Sequence, residues 1–226
     1  MSKKKIWFIT LFPNIIDAYF THGVMSRFRE NIGIINPANY SSRGFKGVDS
    51  APFGGGPGMV MRVDVLTSAL EKGIFIHYED PKRDLLVFYT SPDGDKWNNF
   101  EAKSLCRHIA ENDCNSQDLV FICGRYEGVD QRFIDMFVTR SFSLGDFILS
   151  GGELATMAIV DSLLRFAPGV LGNSKSFEED SFENNKMDFP KWTRPSSFRG
   201  NSVPEVLLSG NHKEIENFNN SQRPKL

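Results

Sequence analysis

The stretch LVFICGRYEGVD, residues 119–130, joins an apolar run directly to a polar, glycine-bearing segment. The run LVFIC is continuously apolar, which is typical of a strand that helices cover on both faces. The segment that follows, GRYEG, would then form a loop at the carboxyl end of that strand. The stretch therefore predicts a core strand of a parallel sheet that ends in an unusually polar loop.

Two other apolar runs predict further core strands, at residues 6–12 (IWFITLF) and 84–90 (DLLVFYT). Helix-like segments at 63–72 and 98–111 lie between the predicted strands. This alternation of strands and helices predicts an α/β fold with a mainly parallel sheet flanked by helices.

The composition narrows the class of protein. The chain has 226 residues, of which 40% are hydrophobic, so it can bury a core without disulfides. Its three cysteines include no C-x-x-C pair, which disfavours a disulfide framework and a zinc ribbon. The net charge of -2 means that a nucleic-acid partner would need a local basic patch. No signal-peptide cleavage site follows the lysine-rich start and no segment approaches the ~20 apolar residues of a membrane helix, so we expect a cytoplasmic protein.

Residues 151–166, GGELATMAIVDSLLRF, predict a helix that is apolar around most of its circumference. Such a helix must be covered on nearly all sides, either inside the core or against another subunit. Of these two placements we favour a dimer interface. At the start of the helix, Ser150 and Glu153 have the S-x-x-E spacing of a capping box, in which each side chain bonds to the backbone of the other residue.

The composition changes towards the C-terminus, and three regions are predicted. Residues 1–172 would form the main domain, and the polar, acidic residues 173–186 would form a flexible linker. Residues 187–226 are too few for an independent core and would form a small, mostly helical C-terminal region. That region should contain a strand at 203–208 and a helix that begins near Asn211.

Three predicted strands end in short loops, at 91–94, 124–128 and 150–152, and each loop carries glycine. The carboxyl ends of parallel strands share one edge of a sheet, where ligands bind in α/β proteins. Because glycine lets a backbone approach a ligand closely, these loops should converge on one binding cleft. The sequence has neither a G-x-x-x-x-G-K-[ST] motif nor a G-x-G-x-x-G after a strand, which favours a small ligand without a pyrophosphate.

Several segments that follow one another between residues 52 and 215 resemble those of one family. They are PFGGGPGM, CGRYEG, SLGDFILSGGE, DSLLRFAPGVLG, EEDSF, TRPSSFRG and VPEVLLSGNHKEI. Together they resemble the bacterial tRNA (guanine-N1)-methyltransferases of the TrmD type. The resemblance implies a SPOUT-type domain with a deep trefoil knot, S-adenosylmethionine as methyl donor and an obligate homodimer. It also implies tRNA as substrate, methylated at N1 of the guanosine 3' of the anticodon, position 37.

The resemblance also implies which residues form the site. The three loops would bind the methyl donor through Ser91, Pro92, Gly124, Tyr126, Glu127, Leu144, Gly145, Phe147, Leu149, Gly151 and Gly152. Magnesium is associated with the family, and Glu127 would be its carboxylate ligand. Asp180 would be the catalytic base, lent by the linker of the other subunit, and Arg165 would face the guanine.

The chemistry of the implied reaction requires one carboxylate and one cation. Guanine N1 keeps its proton at neutral pH, so methylation needs a base, and negative charge develops on O6 as the proton leaves. A positioned base contributes about 100-fold to 10,000-fold in rate, and a donor to a developing oxyanion contributes a comparable factor. Flipping the nucleotide out of its stack exposes the reacting atom, and a mobile acidic linker could then cover it.

Two stretches depart from the family pattern. Before the glycine cluster the chain is shorter than usual, with Ser50 and Phe53 where aspartate and tyrosine are expected. Near the other end Phe218 replaces a tryptophan and the chain stops early, which bears on tRNA binding by residues 187–226. Two alternatives stay open. One is a non-catalytic relative that binds RNA or S-adenosylmethionine, and the other is a SPOUT enzyme that modifies a ribose hydroxyl or another base.

Overall fold

The computed structural model describes residues 4–111, 117–167, 181–182 and 187–224. The chain divides into two compact units, Met1–Val170 and Leu171–Leu226, which are described separately. Of the predicted linker, 173–186, only residues 181 and 182 belong to the described part of the chain.

The first unit is built on a five-stranded sheet. In chain order the strands of this unit are β1 (Ile6–Ile9), β2 (Ile32–Ile35), β3 (Asp49–Ser50), β4 (Val60–Met61), β5 (Leu85–Lys96), β6 (Asp118–Ile122) and β7 (Arg140–Ser143). The large sheet has the order β2-β1-β6-β5-β7 and all its pairings are parallel, while β3 and β4 form a separate antiparallel pair. The predicted parallel sheet is confirmed.

The first strand is shorter than predicted, since it ends at Ile9 and not at residue 12. The backbone N–H of Phe12 donates to Oγ1 of Thr10 at 3.0 Å, which turns the chain out of the sheet. Pro13 then begins the first helix, because a proline without an N–H fits the first turn of a helix and not a central strand.

Helices cover both faces of this sheet. They are α1 (Pro13–Tyr19), α2 (Val63–Gly73), α3 (Pro81–Asp84), α4 (Asn99–Glu111), α5 (Gln131–Phe137) and α6 (Gly152–Leu164), with short 3-10 segments at Val24–Asn31, Pro37–Tyr40, Gly44–Gly47 and Phe75–His77. The helices predicted at 63–72 and 98–111 are confirmed. Within the described ranges, no helix has the length and apolar character needed to cross a membrane.

The core has two layers, one on each face of the sheet. Phe8 and Phe121 point to one layer, which contains α6 and the buried side of α1. Ile9 and Ile122, the next residues along those strands, point to the other layer, which contains α2 and α5. Successive side chains of a strand face opposite ways, so continuously apolar strands fit a sheet that is covered on both sides.

The apolar helix α6 lies in the first core layer within a single chain. Met157, Ile159, Val160, Leu163 and Leu164 are all buried there, and the helix packs against α1, α4, β5 and β6. The prediction that most of this surface meets another subunit is therefore wrong, because the sheet and two helices already cover it. A narrow face stays exposed at Leu154 and Ala158, and the Leu154 side chain is 57% exposed.

The second unit contains two short strands and two helices among its described residues. They are β8 (Ser197–Phe198), β9 (Asn201–Ser202), α7 (Glu205–Leu208) and α8 (His212–Ser221). The predicted strand at 203–208 is wrong, since its last four residues form α7 after Pro204, which lacks the N–H that a sheet would need. The helix expected near Asn211 is confirmed, and the Asn211 side chain caps it by accepting from the N–H of Glu214.

Candidate active site

A cavity of about 320 Å³ opens at the carboxyl edge of the sheet, between an irregular segment of β5 and the loops that follow β6 and β7. All eleven residues predicted to bind the methyl donor line this one cavity. They are Ser91, Pro92, Gly124, Tyr126, Glu127, Leu144, Gly145, Phe147, Leu149, Gly151 and Gly152. The three loops thus converge as the sequence predicts, and the role of these residues as ligands of a donor stays a prediction.

Backbone contacts hold two of the loops together. The N–H of Gly152 at the start of α6 donates to the carbonyl of Gly124 after β6, at 2.8 Å. At Tyr126 the chain takes a φ of 60°, which is uncommon for a residue with a side chain, and its ring is 45% exposed. The loop of β6 therefore makes a sharp turn that leaves an aromatic ring at the cavity.

The segment 91–94 differs from its prediction, because it belongs to β5 and is not a loop that follows the strand. β5 pairs with β7 up to Thr90, the register then shifts, and pairing resumes at Asp95. Ser91 and Pro92 lie in this irregular segment and line the cavity. Residues 91–94 therefore reach the site from the middle of a long strand.

The glycine cluster PFGGGPGM, residues 52–59, had no partner in the sequence analysis, and the structure gives it one. The N–H of Glu127 donates to the carbonyl of Met59 at 2.9 Å, and the N–H of Met61 donates to the carbonyl of Gly128 at 2.9 Å. The C-terminal end of the cluster therefore lies against the loop of β6, next to the cavity. No local pattern in the sequence signals this pairing.

The sequence analysis missed nine residues that line the cavity. They are Tyr89, Thr90, Arg125, Gly128, Phe142, Ser143, Ile148, Ser150 and Ala155. Most are sequence neighbours of predicted residues, so including the flanking positions of each loop would have found them.

Burial raises the pKa of the Tyr89 phenol and of the Cys123 thiol, so neither carries charge at neutral pH.

The predicted capping box at the start of α6 is wrong. No side chain caps that helix, and Glu153 is only 1% exposed. Its Oε1 accepts a hydrogen bond from Oγ1 of Thr10 at 2.7 Å, and its Oε2 lies 2.8 Å from Nη2 of Arg125. The carboxylate points into the protein, where it pairs with Thr10 and Arg125, away from the backbone of Ser150.

Arg165, one of the two predicted catalytic residues, is not part of this cavity. Arg165 is exposed at the C-terminal cap of α6 and does not line the cavity. It lies 13 residues after Gly152, a distance along the helix of about 20 Å at 1.5 Å per residue. Asp180 lies outside the described residues. Within the described part of one chain, the cavity therefore lacks the groups predicted to act on the guanine.

Glu127 does not form a multidentate metal site with the described side chains. It is exposed at the cavity, and across the described ranges no group of three or more His, Cys, Asp or Glu side chains is placed to hold an ion. Magnesium demands near-ideal octahedral coordination by oxygen. The described donor set does not fit that requirement, and no catalytic step is derived through magnesium.

Comparisons with known proteins agree with one another. The family model described as "tRNA (Guanine-1)-methyltransferase TrmD" matches residues 4–225. A tRNA (guanine-N(1)-)-methyltransferase of Hahella chejuensis is 42% identical over 220 residues, covering 95% of this chain and 81% of the relative. The proteins of the same name from Buchnera aphidicola and Clostridioides difficile are 43% and 40% identical, covering 92% and 93% of this chain and 84% and 88% of those relatives.

Proposed function

Because the chain belongs to the TrmD family of tRNA (guanine-1)-methyltransferases, we propose that it methylates N1 of a guanine in tRNA. The target is the guanosine 3' of the anticodon, position 37, and the methyl donor is S-adenosylmethionine. Since the substrate is tRNA, we expect the enzyme to act in the cytoplasm. The relatives are named as enzymes, so a non-catalytic binding protein is not favoured.

The observation that carries this proposal is the single cavity shared by the irregular segment of β5 and the loops after β6 and β7. Its volume, about 320 Å³, lies within the range of about 300–1,000 Å³ that small-molecule sites occupy. It opens at the carboxyl edge of a parallel sheet, where α/β proteins bind ligands. The family match supports a methyl donor as the ligand, and the cavity is the site that we propose for it.

The lining of the cavity fits an adenosine attached to an amino acid. Apolar side chains of Leu144, Phe147 and Leu149 can cover a flat base, and Gly124 and Gly151 line the same cavity. When bound, S-adenosylmethionine supplies a methyl group on a positively charged sulfur. The task of the chain is to orient that methyl group and to exclude water from it.

The remaining chemistry requires a base for guanine N1 and a cation for O6. We propose that the Asp180 carboxylate accepts the proton of guanine N1, so that the nitrogen lone pair forms the new bond to carbon. The Arg165 guanidinium would stabilise the negative charge on O6. The bond between methyl and sulfur breaks with its electron pair left on sulfur, so the products are methylated guanine, a protonated carboxyl group and a thioether.

We propose further that the working enzyme is a homodimer with shared sites. Arg165 lies ten residues after Ala155, the last residue of α6 that lines the cavity, which is about 15 Å along the helix, so a second chain could bring its own Arg165 to the guanine. Exposed apolar side chains lie beside the cavity, including Ile148, which is 80% exposed, and Leu154, which is 57% exposed. A second copy that packs there would cover them and complete the site.

The proposal is tested by methyl transfer to two matched RNAs. Purified protein is incubated with labelled S-adenosylmethionine and an anticodon stem-loop transcript that carries either guanosine or adenosine at position 37. We expect label only in the guanosine transcript, and mass spectrometry of the digested RNA should place the methyl group on N1. Equal labelling of both transcripts, or a methyl group on a ribose or another base, would reject the proposal.

The base is tested by Asp180→Asn, which keeps the size of the side chain and removes its ability to accept the N1 proton. We expect turnover to fall by about 100-fold to 10,000-fold, with the affinity for S-adenosylmethionine unchanged in calorimetry. The neighbouring change Glu179→Gln is the matched control and should retain most activity. Turnover near that of the parent in Asp180→Asn would show that another group is the base.

A further inference from the structure

A buried carboxylate lies directly behind the cavity wall, and the proposed reaction does not use it. Glu153 follows Gly152, which lines the cavity, yet Glu153 itself does not line it. Burying a charged group costs several kcal/mol unless it is paired and hydrogen-bonded. Here Oε1 accepts a hydrogen bond from Thr10 at 2.7 Å, and Oε2 forms an ion pair with Arg125 at 2.8 Å, although neither Oε2 nor Arg125 Nε has a hydrogen-bond partner among the described residues. Such a pair therefore depends on all its partners.

Arg125 connects this carboxylate to the loops of the cavity. Its Nη1 donates to the carbonyl of Ser150 at 3.0 Å, and its guanidinium carbon lies 4.3 Å from the centre of the Phe12 ring. Its side chain also packs closely against Gly151. A Cβ added to Gly151 would lie 2.3 Å from Nε of Arg125. The Arg125 side chain thus contacts the segment after β1 and the segment before α6, and the Arg125 backbone belongs to the loop after β6.

Thr10 ties the same network to the end of β1. The residue is fully buried, and its hydroxyl both donates to Glu153 and accepts from the N–H of Phe12 at 3.0 Å. A hydroxyl has one proton and two acceptor lone pairs, so it can serve both groups at once. A series of contacts therefore connects Thr10, at the end of β1, through Glu153 and Arg125 to Ser150 at the cavity.

Building on the proposed function, we infer that Thr10, Glu153 and Arg125 form a brace that holds the loops at 124–128 and 150–152 in the geometry that binds the methyl donor. Thr10 and Glu153 are positioning residues, since neither lines the cavity. Their effect on the donor is transmitted through Arg125 and the carbonyl of Ser150. If the brace loosens, the loops must be reordered on binding, and the cost of that ordering appears as weaker affinity.

Thr10→Val tests the brace with little change of shape, because it replaces the hydroxyl by a methyl group. Without the hydroxyl, Glu153 loses a hydrogen bond to a charged group, so we expect the KM for S-adenosylmethionine to rise about ten-fold, which corresponds to about 1.4 kcal/mol. The KM for tRNA and the kcat at saturating donor should change little. Thr10→Ser keeps the hydroxyl and should restore most of the donor affinity.

Glu153→Gln is the second variant, and Thr67→Val is the control. Thr67 lies in α2 and does not line the cavity, so its change should leave the KM for donor unaltered. Glu153→Gln should raise that KM at least as much as Thr10→Val does. If Glu153→Gln fails to fold, the comparison of Thr10→Val with Thr10→Ser tests the inference. Donor affinity is also measured directly by calorimetry on the full chain.

A purely structural role predicts a different pattern, in which kcat falls with the fraction of folded enzyme while the KM for donor stays constant. That pattern, or an unchanged KM in a folded Thr10→Val protein, overturns the inference. A parent protein that binds no S-adenosylmethionine in calorimetry would instead overturn the proposed function, and the brace would fall with it. The two failures are therefore distinguishable in one set of titrations.

Discussion

Gly94 shows how closely two backbones approach where β5 crosses to its second pairing with β7. A Cβ added at this position would lie 2.6 Å from the backbone nitrogen of Phe142 and 2.6 Å from the carbonyl carbon of Ser141. Real Cβ atoms do not approach a backbone that closely, so the segment depends on the absence of a side chain. The same segment carries Ser91 and Pro92 to the cavity.

We therefore predict that Gly94→Ala destabilises the protein, because the added methyl group forces the crossing apart. Overpacking of this kind costs about 1–3 kcal/mol, measured as a lower free energy of unfolding in urea, and donor affinity should weaken as well. Asp146→Ala, which removes an exposed ion pair with Lys96 at 2.9 Å, is the matched control and should change stability little. A Gly94→Ala protein as stable as the parent would show that the strands can separate without cost.

Tyr19 predicts a pH dependence of stability. Burial and a hydrogen bond to Asp161 raise the pKa of its phenol to about 12, above the value of 10.0 for an unperturbed tyrosine. A raised pKa favours the protonated phenol in the folded state, so this stabilisation is complete below pH 10 and is lost as the pH rises towards 12. Burial also raises the pKa of Tyr78, whose hydroxyl donates to Asp118 at 2.6 Å.

The measurement is the free energy of unfolding as a function of alkaline pH, with phenolate absorbance recorded in parallel. We expect stability to decline in that window, and Tyr19→Phe should show a smaller decline than the parent. A decline of the same size in both proteins would assign the effect to other groups.

At the scale of elements, a row of aromatic rings joins four strands on the α6 side of the sheet. Ring centres lie 6.0 Å apart for Phe8 and Phe121, 5.3 Å for Phe121 and Phe88, and 5.4 Å for Phe88 and Phe142. Trp97 continues the row at 4.9 Å from Phe142, and its indole N–H donates to Ser162 of α6 at 2.8 Å. The row therefore connects the sheet to the helix whose N-terminus lines the cavity.

Phe121 sits inside this row and contacts a ring on each side. Phe121→Leu should lower the free energy of unfolding by about 1–2 kcal/mol, through lost volume and two lost ring contacts. Phe100→Leu is the control, because Phe100 is 75% exposed in α4 and should tolerate the change. Equal effects of the two substitutions in thermal or chemical unfolding would contradict the importance of the row.

At the scale of the whole molecule, the separation between the cavity and Arg165 is the reason for proposing that two chains share each site. Shared sites are tested by mixing two inactive proteins. Ser91→Trp fills the cavity with a large ring, and Asp180→Asn removes the proposed base.

If each site takes its cavity from one chain and its carboxylate from the other, a mixed dimer has one intact site. Random mixing in a two-fold dimer then restores about a quarter of the parent activity. Each variant alone should stay inactive. A protein that carries both substitutions should also stay inactive when it is mixed with either single variant. No recovery in mixed dimers confirmed by sedimentation would show that the aspartate acts within its own chain.

Much of the fold and of the cavity could be predicted because its signals are local. Continuous apolar runs predicted the three core strands, helical periodicity predicted α2 and α4, and glycine after each strand predicted the loops that line the cavity. Parallel strands then bring those loops to one edge without further information. The predicted trefoil knot rests on family resemblance alone, since chains are unknotted by default.

The sequence by itself therefore determined three core strands, two helices and the convergence of the glycine-bearing segments, because each is recognised from its near neighbours, whereas the eleven cavity residues were named through the family resemblance. Only the tertiary structure decided that α6 belongs to the core, that residues 205–208 are helical, and that the glycine cluster lies against Glu127. It also decided that Glu153 is paired with a threonine 143 residues away and not with its own helix. These features depend on contacts between buried groups and residues that are distant in the sequence, and a local sequence pattern carries no information about such contacts.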